Sequence, residues 1–506
     1  MLLNTNLVNF IDAFSQLKVL VIGEAMLDSY LIGEADRLCR EAPVPVVSIS
    51  QQEYVPGGAA NAAVNISSLG AQAVFLSVIG DDAEGEMLRG SLEKLGVSTE
   101  NILSDGNRQT MAKQRVIGSD QLMVRFDQGS TADLDRSIEI SLVSRLKELF
   151  QECDAVLVSD YNYGVLTPRV IRTLAHLQST DPRIFVIDSK RLPVYRDIDI
   201  TAVKPNYAET VQLLGLEKQN GATQRIPQIS RYGERLLDLT GAHIAAVTLD
   251  QEGALVFERG CTPYRTYARP APHSRAAGAG DTFASALTLS LAAGAHLEAS
   301  AELASAASSI VVEKDGTSVC YALELRNYFS TGEKFVTDAF QLAARMSAYR
   351  KEERRIVFTN GCFDLLHRGH INYLNQAKAF GDILIIGLNS DNSVSRLKGP
   401  NRPINSLEDR AQILAALSSV DHIIPFDGDT PHDLIRVIKP DVYVKGGDYT
   451  LETLPEASLV NELGGKVEIL PYLDNHSTTG IIERIRQIYI DGPAASTKTE
   501  EKGYAD

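Results

Sequence analysis

Short, continuously apolar runs rich in β-branched residues recur from Lys18–Glu24 to Lys466–Leu470, and longer stretches of helical period separate them. This alternation restricts the possible folds more than any other feature of the chain. Strands with no polar face must be covered on both sides, which places them in parallel sheets flanked by helices. Ala73–Ile79, Ala155–Ser159, Ile184–Asp188, Ala245–Leu249 and Ala254–Phe257 fit this description, as do Arg355–Thr359, Asp382–Leu388, Asp421–Pro425 and Val442–Val444. The expected class is α/β throughout. A chain of 506 residues exceeds one hydrophobic core, so it should divide. The break is expected near residues 330–354. There Phe335, Leu342 and Met346 suggest an amphipathic helix, and the charged run Arg350–Arg355 leads into a new strand. Domains are therefore expected over 1–330 and 354–490, with a helical linker over 331–353 and a disordered tail over 491–506. No internal repeat relates the halves, so they should be different folds.

Composition narrows the function. A formal net charge of −16 repels nucleic acid, and no basic stripe beyond Arg350–Arg355 offsets it. Small phosphorylated ligands remain possible, because a few lysines and helix N-termini are enough to hold them. The five cysteines, Cys39, Cys153, Cys261, Cys320 and Cys362, are scattered and lack Cys-x-x-Cys spacing, which argues against a disulfide framework or a structural zinc site. No segment approaches the roughly 20 apolar residues of a membrane helix. A reduced, cytoplasmic protein without a membrane partner is the expectation.

The segment Ala276-Ala-Gly-Ala-Gly-Asp-Thr-Phe283 precedes a helix expected over Ala284–Ala293. Gly278, Ala279 and Gly280 let backbone N–H groups converge at a helix start, where the dipole favours an anion. A carboxylate at the edge of that hole, Asp281, can take the proton of an attacking hydroxyl, as phosphoryl transfer requires. Alternatively, Asp281 is only the cap of the helix. Other segments accompany it in order: Gly23-Glu-Ala-Met-Leu-Asp28, Gly57-Gly58-Ala-Ala-Asn61, Lys204-Pro-Asn206-Tyr-Ala-Glu209 and Thr248-Leu-Asp-Gln-Glu-Gly253. Together they resemble the ribokinase-like (PfkB) sugar kinases over roughly residues 15–325. The resemblance implies a ribokinase-like α/β/α fold with Asp281 as catalytic base and residues 278–280 as anion hole. It places Asp28, Gly57, Gly58, Asn61 and Lys190 around the sugar. It assigns Asn206, Glu209, Thr248 and Gly253 to ATP, which brings Mg2+, with Glu209 the candidate metal neighbour. Gly57–Gly58 as a tight turn and Asn206 as a turn residue after Pro205 remain alternatives.

In the second half, strand Arg355–Thr359 runs into Asn360-Gly-Cys-Phe-Asp364-Leu-Leu-His367-Arg-Gly-His370. Histidines three apart share one face of a helix start. Their imidazoles can donate to a phosphate whose charge grows in a transition state. A metal pair is the competing reading, but the spacing is not His-Glu-x-x-His and no third ligand stands nearby. The pattern Gly-x-Phe-Asp-x-x-His-x-Gly-His resembles the cytidylyltransferase-like nucleotidyltransferases, which have a Rossmann-like fold. Ser477-Thr478-Thr479 matches a second signature of that family, implying a grip on the triphosphate. The resemblance makes His367 and His370 catalytic and brings Asp364, Asn389, Asp391, Lys398 and Lys445 toward ATP. Lys398 and Lys445 are equally readable as surface lysines, and Arg410 is a weaker candidate.

A sugar kinase followed by a nucleotidyltransferase is similar to the family of bifunctional heptose-phosphate kinase/adenylyltransferases. That implies phosphorylation of heptose 7-phosphate at C1, a separate 7-phosphatase, and adenylyl transfer from ATP to heptose 1-phosphate, giving ADP-heptose for a surface glycan such as lipopolysaccharide. A homodimer is expected. The same reactions on another sugar phosphate or nucleotide, or a non-catalytic sugar-nucleotide sensor, are the alternatives.

Overall fold

A computed structural model describes residues 7–470 except 120, 220–221, 269–275, 315, 330–333, 337–338, 448–449 and 451. It divides into two compact units, one formed by Asn6–Ser330 with Ala416–Ser418, the other by Thr331–Ala415 with the chain from Ser419 onward.

The first unit is built on a nine-stranded sheet. Its order is Tyr264–Thr266, Ala254–Glu258, Ala242–Thr248, Ile200–Val203, Ile184–Ser189, Ala155–Asp160, Lys18–Gly23, Gln72–Gly80 and Ile102–Asp105. The seven strands from Ala242–Thr248 onward pair in parallel, and the first two are antiparallel additions. Successive side chains of a strand point to opposite faces. Val19, Leu20, Val21 and Ile22 are all completely buried, so helices must cover both faces. Leu20 and Ile22 pack with Leu142, Leu146 and Phe150 of helix Arg136–Gln151. Helices Ala59–Ser68 and Ala279–Ala292 pack against the same central strands and against each other.

A separate four-stranded sheet was not read from the sequence. Its order is Pro45–Gly58, Ala25–Leu38, Met111–Gly118 and Gln121–Gln128, with Ala25–Leu38 parallel to Met111–Gly118 and the outer pairs antiparallel. Polar and charged residues interrupt the apolar ones in each of its strands, and Gln121–Gln128 is exposed along most of its length. That composition lacks the continuous apolar run used to recognise the other strands.

The second unit is a five-stranded parallel sheet in the order His422–Phe426, Ile383–Asn389, Ile356–Gly361, Val442–Gly446 and Lys466–Leu470. Strand order reverses beside Ile356–Gly361, which is the crevice where open α/β sheets bind ligands. Residues 339–351 form a helix, as the apolar spacing suggests. Phe335 lies before it, in an isolated bridge to Ile423. Val336, Leu342 and Met346 join Phe358, Ile385 and Tyr443 in this unit's core. The segment read as a linker thus packs as part of the second unit. The tail over 491–506 lies outside the described residues.

Candidate active sites

In the first unit, helix Ala279–Ala292 begins at Gly278, which is its N-cap with φ 88° and no side-chain cap. Asp281 is therefore not the cap. It sits inside the first turn, and its side chain turns toward Asn61 and Tyr161. Asn61 donates from Nδ2 to Oδ2 at 2.8 Å, and the Tyr161 hydroxyl donates to Oδ1 at 3.0 Å. Both partners favour the carboxylate, as does the charge of Lys204, but burial outweighs them and raises the Asp281 pKa. Asn61 is itself oriented: Asn65 donates to its backbone oxygen at 2.9 Å and to Oδ1 at 3.2 Å, and Thr282 Oγ1 donates to Asn65 Oδ1 at 2.8 Å. This buried relay turns the amide N–H of Asn61 toward the acid.

Glycine is required at 278, where φ is positive and a Cβ would lie 2.3 Å from Asn61 Nδ2, while a Cβ on Gly280 would meet only the Lys204 ammonium, at 3.3 Å. The N–H groups of Ala279 and Gly280 are in the first helical turn and have no intrahelical acceptors. Lys204, buried, reaches this helix start while paired with Asp188 at 3.1 Å. Burial pushes the Asp188 carboxyl up to about 6 even though Lys204 opposes it. A cation and a helix N-terminus thus converge beside a buried carboxylate.

Asp28 lies on the neighbouring sheet. It pairs with Arg115 at 2.7 Å, and Thr317 Oγ1 stands 3.5 Å away. Gly57 allows its approach, since a Cβ there would sit 2.5 Å from Asp28 Oδ2; Gly58, at φ 59°, would strike Glu24 O at 2.7 Å. These two residues do more than turn the chain. Lys190 follows strand Ile184–Ser189, and its ammonium lies 5.5 Å from the Tyr161 ring centre. Asn206 and Glu209 form a reciprocal capping box on helix Tyr207–Leu214, with both bonds at 2.9 Å. Asn206 bridges to Thr248, and Leu249 N–H bonds to Gly253 O at 2.8 Å, closing the turn after strand Ala242–Thr248. These four residues gather at the C-terminal ends of adjacent strands. The side chains of Asn206 and Glu209 also have the structural role of helix cap.

Sequence reasoning missed several residues of this site. Glu24 accepts the backbone N–H groups of Tyr161, Val165 and Tyr163 at 2.7, 3.2 and 3.3 Å, fixing the loop that carries Tyr161. Burial, aided by Asp160, pushes Glu24 up to about 7. Glu24 and Lys204 stand inside segments already singled out for their neighbours, and Tyr161 lies two residues beyond the strand read as Ala155–Ser159. Lys113 and Arg115 come from the unread sheet.

In the second unit, strand Ile356–Gly361 delivers the chain to His367, the N-cap of helix Arg368–Lys378. The imidazoles of His367 and His370 lie with ring centres 3.9 Å apart and planes inclined by 31°. Phe363, at φ 44°, sets its edge against His370 at 5.4 Å. Burial, reinforced by His367, depresses His370 to about 3, so this ring is neutral at neutral pH. Lys445, from the strand across the crevice, donates to Asn360 Oδ1 at 2.9 Å, and burial lowers its pKa. Lys398 ends helix Asp391–Lys398 and is exposed.

The remaining candidates frame the crevice. Asp364 accepts the N–H groups of Ile404 at 2.7 Å and Asn405 at 3.1 Å and pairs with Arg402 at 2.8 Å. Asn389 donates to Ser393 Oγ at 2.9 Å. Asp391 pairs at 2.7 Å with Arg410, whose completely buried guanidinium also donates to Cys362 O at 2.6 Å, Asn389 O at 2.8 Å and Asn405 O at 3.1 Å. Arg410 thus ties together the loops leaving two adjacent strands. Ser477, Thr478 and Thr479 lie outside the described residues. Among the described residues no three His, Cys, Asp or Glu side chains form a metal-holding group, and no helix is long and apolar enough to cross a membrane.

The chain matches the pfkB family carbohydrate kinase model over residues 16–323 and the cytidylyltransferase-like model over residues 358–484. It is 38% identical over 492 residues to the bifunctional protein HldE of Syntrophotalea carbinolica, covering 96% of this chain and 99% of that one. It is 36% identical over 480 residues to HldE of Desulfatibacillum aliphaticivorans, covering 94% and 97%. The first unit also resembles phosphofructokinase-2 of Escherichia coli in fold, with TM-score 0.50 and 22% identity over 62% of this chain and 97% of that one. The chain belongs to the bifunctional HldE family, enzymes that join a pfkB family carbohydrate kinase to a cytidylyltransferase-like nucleotidyltransferase.

Proposed function

We propose that the first unit phosphorylates heptose 7-phosphate at C1 with ATP and that the second converts heptose 1-phosphate and ATP to ADP-heptose and pyrophosphate. The observation that carries the kinase reading is the buried Asp281 carboxylate at a helix start shared with Lys204. Asp281 takes the C1 hydroxyl proton, the sugar oxygen attacks the γ-phosphorus, and ADP leaves. Lys204 and the N–H groups of residues 279–280 receive the charge of the transferring phosphoryl group. The protein's own carboxylates suit a Mg2+ ion brought in on ATP rather than a resident one: Glu209 and Asp188 stand near Lys204, but no three-carboxylate cage is present among the described residues. When bound, that ion neutralises phosphate charge.

In the second unit a C1 phosphate oxygen attacks the α-phosphorus of ATP and pyrophosphate leaves, with no covalent enzyme intermediate. His367 and His370 donate to the α-phosphate, and Lys445 holds phosphate across the crevice. A separate 7-phosphatase acts between the two reactions. Use of ATP is consistent with the cytoplasm. The exposed apolar row Leu122, Val124 and Phe126 on the outer strand of the small sheet supports a homodimer.

Mass spectrometry of the purified chain with heptose 7-phosphate and ATP tests the scheme. Heptose bisphosphate should form alone, and ADP-heptose only after a 7-phosphatase is added. ADP-heptose without phosphatase would overturn the proposed order.

A further inference from the structure

Glu24 joins strands Lys18–Gly23 and Ala25–Leu38, and it is bonded to both elements that supply donors to Asp281. Its backbone oxygen accepts the N–H of Ala59 at 3.0 Å, at the start of helix Ala59–Ser68 and two residues before Asn61. Its carboxyl group holds the 161–165 loop from the other side. Oε2 accepts the Tyr161 N–H at 2.7 Å, and Oε1 accepts those of Val165 at 3.2 Å and Tyr163 at 3.3 Å. Asn61 and Tyr161 are the residues whose side chains donate to the two oxygens of Asp281. One residue thus ties together both arms of the clamp on the acid.

The loop does not adopt its path unaided. Asn162 holds φ 63°, and Gly164 holds φ 86°, where a Cβ would lie 2.0 Å from Ala132 O. Neighbouring groups secure its flanks. Asp160 accepts the Asn162 N–H at 2.8 Å, and its other oxygen takes Tyr195, Ser189 and Arg191 at 2.7, 2.8 and 2.9 Å. Arg108 donates to Tyr163 O, and to Ala132 O at 2.9 Å. The N–H of Tyr161 itself goes to Glu24. Glu24 is 2% exposed, and burying a carboxyl group is costly. Asp160 adds to that cost, while Arg108 and Arg191 offset part of it. A neutral amide of the same length would be cheaper to bury. It carries one acceptor oxygen, however, and cannot serve the Tyr161 N–H and the 163/165 pair together. The need for two acceptors accounts for the acid.

We propose that Glu24 is a positioning residue of the kinase reaction: through the 161–165 loop its carboxylate keeps the Tyr161 hydroxyl on Asp281 and so aims the base at the sugar hydroxyl. The inference rests on the kinase reading above and adds to it a residue that acts on the base through another. With Tyr161 displaced, Asp281 keeps its bond to Asn61 and loses the one that fixes Oδ1. The Asn61 arm depends on the Glu24 carbonyl, which every side-chain substitution retains.

The test is a double-mutant cycle on the full-length chain, following ADP release from heptose 7-phosphate and ATP above the value of about 7 to which Glu24 is raised. Glu24→Gln should lower kcat about 10- to 100-fold, the range for a reacting group held slightly out of place, and leave KM for both substrates unchanged. Tyr161→Phe should do the same. Glu24→Gln/Tyr161→Phe should be no slower than Tyr161→Phe, because the hydroxyl that Glu24 positions is already gone. Glu24→Asp, which keeps two acceptor oxygens, should recover part of the lost kcat. If the glutamine variant does not fold, the aspartate variant takes its place in the cycle and is read in the same way. Losses that multiply in the double variant, or a Glu24 substitution that raises KM and spares kcat, would overturn the positioning role and leave the kinase reading intact. If the wild type released no ADP on the sugar, the kinase reading would fail and take this inference with it.

Discussion

Both candidate sites act on phosphorus at the C-terminal edge of a parallel sheet, yet they are assembled from opposite materials. Around Asp281 the acidic groups are crowded: Glu24, Asp28 and Asp160 are buried and Asp188 is partly so, and each is tied to donors. Around His367 and His370 the polar groups close to the reacting position are two imidazoles, that of His370 held neutral by burial, and a half-buried lysine, while Asp364 and Asp391 are engaged with Arg402 and Arg410. The difference follows from the proposed chemistry. A hydroxyl nucleophile needs a base, so the first site must hold a carboxylate against the cost of burial. A phosphate nucleophile is already ionised, so the second site needs donors and no base.

That contrast is broken most directly by removing one centre at a time. Asp281→Asn preserves volume and should cut sugar phosphorylation by about 100- to 10,000-fold, the usual contribution of a positioned base. Pyrophosphate release from heptose 1-phosphate and ATP should persist in the same preparation. His370→Ala should do the reverse, lowering adenylyl transfer by about 100- to 1,000-fold, as for loss of one transition-state donor, with the kinase reaction retained. Steady-state assays of both reactions on each variant decide the matter. A substitution that abolished both activities would show that the centres are not independent.

The two sites were unequally readable in the sequence, for physical reasons. Strands buried on both faces announce themselves through unbroken apolar runs, so strands such as Ile184–Ser189 and Ile383–Asn389 were found within a residue of their ends. Strand Gln121–Gln128 is exposed along most of its length and alternates Leu122, Val124 and Phe126 with Arg125 and Asp127, which gave no such run. With that sheet went Lys113 and Arg115. Glycine-framed turns marked Asp281 and the histidines because close backbone approach demands glycine locally. Tyr161 and Glu24 reach their sites through contacts more than a hundred residues away in sequence, which no local pattern encodes. Asp364 shows the converse: it stands within a strong motif, but its contacts are to the loop over 402–405.

Arg410 sharpens the comparison on the side of stability. In the second unit this buried cation is satisfied by three backbone oxygens and one carboxylate, so it positions the crevice without entering it. Arg410→Met should destabilise that unit by about 3 kcal/mol, the cost of breaking a buried hydrogen-bonded pair and leaving its partners behind. Differential scanning calorimetry should show only the transition of the second unit moving down. A loss confined to activity, with no change in unfolding, would instead place Arg410 among the groups that touch ATP.

Acidification distinguishes the units by sign. Glu24 and Asp188, raised to about 7 and about 6 mainly by burial, hold protons in the folded state at pH values where the unfolded chain has lost them. The stability they confer is present in acid and is lost as pH rises through those values. His370 and His422, depressed to about 3 and about 4 mainly by burial, behave in the opposite way. Their contribution is present above the ordinary histidine value of 6.5 and is lost as pH falls toward 4 and 3. Each fully coupled titration changes stability on the order of 1 kcal/mol per pH unit. Between pH 6.5 and 4.5, therefore, acidification should stabilise the first unit and destabilise the second. Scanning calorimetry of the full chain across that window should show the two transitions moving in opposite directions, with Glu24→Gln flattening the first trend and leaving the second. If both transitions fell together on acidification, the buried carboxylates of the kinase unit would be ionised after all, and the contrast between the two sites would lose its electrostatic basis.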